Sequence, residues 1–286
     1  MAQQLGGRFD GPATSQPASS SRYSNEGSGP RGGRPNCIVF FTDQQRWDTS
    51  ALAGNTQDLT PNFDRMALRG THLSNAVTCQ PVCGPARAAF QTGIYPTKSG
   101  CFRNNIGLPA ACPKIAELFR DAGYSTGYIG KWHMYSPQAG VDIAGAGSLH
   151  PSRSESEALE ASRIGRGAVP ESERCGYEYW LASNMLEFTS EAYQTTLYDN
   201  EDRPVQLPGY RADACTDAAI RFVHERSQRN PDQPFFLFLS FIEPHHQNRT
   251  DDYPAPLGYQ ERFQRDLWIP PDLQELGGTA NQHLAG

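Results

Sequence analysis

Two continuous apolar runs stand out from a chain otherwise broken by polar, glycine and proline positions. They are Cys37-Ile38-Val39-Phe40-Phe41 and Phe235-Phe236-Leu237-Phe238-Leu239. Neither alternates with polar residues, and short unbroken apolar runs fit strands buried on both faces of a sheet. The first predicts a buried central strand that closes on Thr42-Asp43, and the second runs out into Glu243-Pro244-His245-His246. Tyr124 to Gly130 reads as a third strand leading into Lys131-Trp132-His133, and His72 to Val77 as a fourth. Helical spacing falls between them. Thr60 and Pro61 open a helix that Gly70 stops, with Thr60 as the expected N-cap. Pro113 to Ala122 places Ile115, Ala116, Leu118 and Phe119 on one face, with Gly123 as the stop. Arg211 to Ser227 carries a stripe of Ala214, Ala218, Phe222 and Val223. Strands alternating with helices define an α/β class, with a largely parallel central sheet sandwiched by helices.

The segments between these elements differ in kind. Residues 1–34 are rich in Gly, Ser, Pro, Gln and Arg with almost no large aliphatics, so a disordered tail is expected. Residues 136–173 have few apolar anchors and read as a long surface excursion. Residues 175–210 are aromatic, through Tyr177, Tyr179, Trp180, Phe188, Tyr193 and Tyr198, and either line a substrate cleft or pack as a small subdomain. The formal net charge of -6 gives no support for nucleic-acid binding, so an anionic substrate would need locally gathered positive charge. No apolar run is long enough to span a bilayer, and the first residues lack the charged start and apolar core of a secretory signal. The seven cysteines are odd in number, scattered, and without a Cys-x-x-Cys pair. Reduced thiols in a cytoplasmic protein, with no membrane partner, are the expectation.

The most specific pattern is Thr78-Cys79-Gln80-Pro81-Val82-Cys83-Gly84-Pro85-Ala86-Arg87, which continues to Thr92-Gly93. Within it Cys83-x-Pro85-x-Arg87 opens a helix. Pro85 suits a first turn, and Cys83 at the N-terminus would sit beside N–H groups that favour an anion. Cys79 has no Arg at the matching spacing and is set aside as structural. The motif resembles the signature of type I sulfatases, in the alkaline phosphatase superfamily, whose cysteine is oxidised to formylglycine. Thr42-Asp43-Gln44-Gln45-Arg46, Gly130-Lys131-Trp132-His133 and Ser240-Phe241-Ile242-Glu243-Pro244-His245-His246 are similar to further stretches of its bacterial arylsulfatase-like members.

That resemblance implies an alkaline phosphatase-like sulfatase fold and hydrolysis of a sulfate monoester to an alcohol and inorganic sulfate. A formylglycine-generating enzyme would be the maturation partner. A hydrated aldehyde at Cys83 offers two hydroxyls on one carbon, one to attack sulfur and one whose deprotonation expels sulfate. By the same resemblance, Asp43, Gln44 and the oxygen on modified Cys83 hold calcium or magnesium, which take hard oxygen ligands. Arg87 holds the diol, Lys131 binds sulfate, His133 accepts a proton, and His245 contacts the sulfate or bridging oxygen. His245 is preferred to His246.

The pattern departs from the family at its end. Residues 250–286 contain Asp251, Asp252, Asp266 and Asp272, but none follows a buried apolar run. The expectation is therefore that residues 35–286 form the N-terminal part of a sulfatase catalytic domain, truncated and incomplete on the C-terminal side, with half of the metal site. Two other readings stand beside sulfate ester hydrolysis. One is a phosphonate monoester or phosphodiester hydrolase of the same superfamily. The other is an inactive, truncated anion-binding relic.

Overall fold

The computed structural model describes residues 33–136, 166–247 and 252–263. The secondary-structure elements all fall within one unit, Arg34–Gly286. Its strands are β1 (Cys37–Phe41), β2 (Ser125–Lys131), β3 (Tyr179–Ser183), β4 (Thr195–Tyr198), β5 (Pro204–Leu207) and β6 (Phe235–Ser240). They form one sheet in the order β1-β6-β2-β3-β4-β5. β1, β6, β2 and β3 are parallel, whereas β4 and β5 join as antiparallel strands. The helices are α1 (Pro61–Ala67), α2 (Cys83–Thr92), α3 (Pro96–Ser99), α4 (Ile115–Asp121), α5 (Leu186–Thr189), α6 (Arg211–Arg229) and α7 (Tyr259–Phe263). Among the described residues no helix is long and apolar enough to cross a membrane.

The parallel register brings Val39, Phe238, Tyr128 and Trp180 into one row across four strands. Their side chains share a face. Tyr128 stacks on Phe238 and on Trp180 with ring centroids 5.2 and 5.3 Å apart, and Trp132, Tyr177 and Phe236 complete this half of the core. On the other face Ile129, Leu237 and Leu239 pack against Ala214, Ala218 and Phe222 of α6. Each fully buried Phe or Leu contributes about 1.5–3 kcal/mol, so the two apolar runs supply much of the drive to close the sheet.

Several elements differ from the sequence expectation. Among the described residues β1 is an edge strand that pairs only with β6, and it alternates in burial. Ile38 and Phe40 are 53% and 65% exposed, because no described helix covers their side of the strand. Residues 72–77 form no strand. Val77 is 90% exposed, and a short apolar segment without a hydrogen-bonding neighbour has nothing to hold it extended. Cys83 therefore follows a loop rather than a strand. In α4 Ala116 is buried but Leu118 is 62% exposed, so Leu118 lies off the core face. Thr60 does not cap the α1 backbone; its hydroxyl bonds to the Asp64 carboxylate instead.

The aromatic region is packed in its first part but is not a separate subdomain. Tyr177 and Trp180 are core residues, and β3, β4 and β5 extend the main sheet rather than forming a separate subdomain. Cys79 is exposed. Most of the tail and of the surface excursion, and residues 264–286 with Asp266 and Asp272, lie outside the described residues, as does Asp251. The C-terminal ends of β1, β6, β2 and β3 open on one edge of the sheet, where ligands bind in open parallel sheets.

Candidate active site

Five chain segments meet at that edge. Asp43 follows β1, Lys131 is the last residue of β2, His133 lies just beyond it, and His245 follows β6. Cys83 is the first residue of α2, and Arg87 lies one turn on. The fifth segment is α5, after β3. It brings in Glu187, which the sequence reading did not single out.

Asp43 is the centre of the group. Its Oδ2 lies 3.0 Å from Arg87 Nη2 and 2.8 Å from Lys131 Nζ. Its Oδ1 accepts from the Cys83 thiol at 3.6 Å. Arg87 Nη1 donates to the Lys131 carbonyl at 2.9 Å and to Ser240 Oγ at 2.6 Å. The same carbonyl accepts from the hydroxyls of Tyr128 and Ser240. These bonds fix the end of β2 against β6 and α2.

Gly130 makes that approach possible. It has φ +108, and a Cβ there would stand 1.9 Å from the Ser240 carbonyl oxygen. The next turn is tight as well. His133 has φ +58, and its N–H donates to the Asn184 carbonyl at 2.6 Å.

Asp43, Arg87, Lys131 and Glu187 are buried, and their charges hold one another ionised. Burial opposes the Asp43 carboxylate, but Lys131 and Arg87 overcome it and hold Asp43 well below the ordinary range. Burial likewise opposes the Lys131 ammonium, which is 0% exposed, and Asp43 and Glu187 raise it above its usual value. Glu187 Oε1 lies 3.1 Å from Lys131 Nζ and 3.9 Å from His133 Nδ1.

Burial, assisted by Lys131, pushes His133 down to about 4, so its imidazole is neutral at pH 7. Both its ring nitrogens are buried without a hydrogen-bond partner, which leaves a free acceptor in the site. His245 is also lowered, by burial and then by Lys131. His246 instead packs on the Tyr253 ring. Burial raises the Cys83 thiol, so it remains protonated near neutral pH and is not a ready thiolate nucleophile.

At the start of α2 the N–H groups that follow Cys83 are already committed. The Gly84 N–H donates to Asn104 Oδ1, Pro85 has none, and the Ala86 N–H is taken by the Val82 carbonyl. Positive charge comes from Arg87 and Lys131 instead. Gln44 is exposed, with φ +60, and takes part in no hydrogen bond or ion pair among the described residues.

Asp43, Cys83 and His245 present ligand atoms that lie within 4.8 Å of one another. With an oxygen in place of the Cys83 sulfur, that oxygen and the Asp43 carboxylate fit one side of a hard-cation site.

Residues 35–271 match the sulfatase family, and the chain belongs to it. It is 31% identical over 242 residues to an ulvan-active sulfatase of Formosa agariphila, covering 84% of this chain and 39% of that protein. It is 31% identical over 252 residues to an uncharacterised sulfatase of Escherichia coli, covering 88% and 44%. A solved sulfatase structure from Bacteroides fragilis superposes with a TM-score of 0.64 at 23% identity, over 82% of this chain and 48% of that one, which shows the shared fold. The chain thus spans less than half the length of these relatives.

Proposed function

We propose that this chain carries the nucleophile-bearing part of a sulfuric ester hydrolase, with Cys83 as the precursor of a formylglycine nucleophile. The observation that carries the reading is the contact of Cys83 Sγ with Asp43 Oδ1 at 3.6 Å, where Asp43 is itself gripped by Arg87 and Lys131. A protonated, half-buried thiol is a poor nucleophile, whereas a hydrated aldehyde at the same carbon supplies one hydroxyl for attack on sulfur and a second for release of sulfate. Asp43, with Gln44 and the Cys83-derived oxygen, would hold calcium or magnesium, which supplies Lewis-acid polarisation of a sulfate oxygen.

The remaining residues have roles of their own. Lys131 offers a fixed ammonium to the sulfate oxygens, at the end of a strand that cannot yield. Arg87 orients the side chain at position 83 from one helical turn away and neutralises charge beside it. His133, neutral and with both nitrogens free of hydrogen bonds, accepts a proton. His245, close to Asp43 and Cys83, would contact the ester's sulfate or bridging oxygen. The sulfatase named as ulvan-active supports a sulfated carbohydrate as one substrate class.

The test is hydrolysis of an aryl sulfate by protein co-expressed with a formylglycine-generating enzyme and supplied with calcium, compared with a phenyl phosphonate ester. Sulfate ester turnover that disappears in Cys83→Ala supports the reading. Preference for the phosphonate would assign the site to phosphonate ester hydrolysis. Conversion of Cys83 without turnover of either ester would leave an anion-binding protein.

A further inference from the structure

We propose that Glu187 is a positioning residue that supplies the counter-charge holding Lys131 in place while Asp43 is committed to a divalent cation. This rests on the reading of Asp43 as a cation ligand. The Lys131 ammonium has no contact with solvent, and two carboxylates flank it, Asp43 Oδ2 at 2.8 Å and Glu187 Oε1 at 3.1 Å. Arg87 draws on the same Asp43 oxygen at 3.0 Å. Asp43 therefore serves two cations before any metal arrives. A divalent ion on Asp43 would take a further share of that one charge. Without Glu187, a buried ammonium would then stand beside a guanidinium and a metal ion with no carboxylate of its own. Uncompensated buried charge is strongly unfavourable, and the cost would appear as lost metal affinity.

Glu187 is built to stay in this position. It is itself buried, on the short helix α5. Its carbonyl accepts from Gln247 Nε2 at 2.8 Å, and Gln247 Oε1 accepts from both Nη1 and Nη2 of Arg211 at 3.2 Å. Arg211 Nε in turn donates to Glu243 Oε1 at 2.8 Å. This chain ties α5 to the segment bearing His245. At 3.9 Å from His133 Nδ1, Glu187 is too distant to hydrogen-bond the ring. Its effect on His133 is that of a nearby charge, opposite in sign to those of Lys131 and Arg87.

The experiment is calorimetric titration of calcium into the full chain co-expressed with a formylglycine-generating enzyme, as wild type, Glu187→Gln, Lys131→Met and the double variant. Partners behind a metal ligand typically change affinity by about 10- to 100-fold, so Glu187→Gln is expected to weaken calcium binding at least tenfold. In the Lys131→Met background the same substitution should change affinity less than about twofold, because no ammonium remains to be neutralised. Glu187→Asp, which keeps the charge, should retain binding within about threefold of wild type on the same grounds. If Glu187→Gln fails to fold, the double variant, with both charges removed, should fold, and its failure would overturn the pairing. An unchanged affinity in Glu187→Gln, or an equal loss in both backgrounds, overturns the role of Glu187 alone. A wild-type chain that takes up no calcium overturns the cation site and this role together.

Discussion

Arg87 Nη1 donates to the main-chain carbonyl of Lys131 at 2.9 Å, while Nη2 of the same guanidinium binds the Asp43 carboxylate at 3.0 Å. One side chain thus fixes two strand ends to the start of α2. Substitution Arg87→Ala would leave the Asp43 charge short of a partner in a buried site, so a loss of about 3–5 kcal/mol is expected from urea unfolding. Arg87→Lys keeps the charge but lacks the planar fork, and should recover only part of that loss.

Gly130 tests the close approach of β2 to β6. A Cβ at this position would meet the Ser240 carbonyl, which is backbone and cannot swing aside. Gly130→Ala should therefore cost at least about 3 kcal/mol, in the range of substitutions that break special backbone positions. Circular dichroism melts against wild type measure it. Equal melting temperatures would contradict the packing described.

His133 gives stability a pH dependence with a definite sign. Its folded value is about 4 against 6.5 for the free imidazole. Between those values the unfolded chain binds a proton that the folded chain does not, so stability falls as pH drops from about 6.5 towards 4 and falls no further below. The full effect is roughly 3 kcal/mol. His245 adds to it in the same direction. Asp43 and Glu187 have depressed values, so their contribution is present above the ordinary carboxylate range and fades only as pH falls below it. Urea midpoints from pH 7 to 4.5 should decline less steeply in His133→Asn than in wild type.

Much of the site was legible because chemistry-bearing residues stand at the ends of apolar runs. Asp43, Lys131, His133 and His245 each follow a predicted strand, and the parallel sheet gathers those ends on one edge. Glu187 escaped notice because it belongs to no motif, and the apolar run Tyr179-Trp180-Leu181-Ala182 before it lies inside an aromatic-rich region that masks the strand end. The available signal was a lone carboxylate in Met185-Leu186-Glu187-Phe188, a polar residue in an apolar setting. The strand expected at residues 72–77 and the central position expected for β1 failed for a shared reason. Apolar pattern reports a preference for burial, whereas strand pairing and coverage depend on neighbours elsewhere in the chain.

The central claim, that Cys83 is the precursor of the nucleophile, is tested most directly by peptide mass spectrometry of the segment spanning Thr78 to Gly93. The protein would first be co-expressed with a formylglycine-generating enzyme. The expected result is a peptide bearing an aldehyde in place of the Cys83 thiol, with Cys79 still a thiol. A peptide in which Cys83 remains unmodified, under conditions where a control sulfatase is converted, would contradict it.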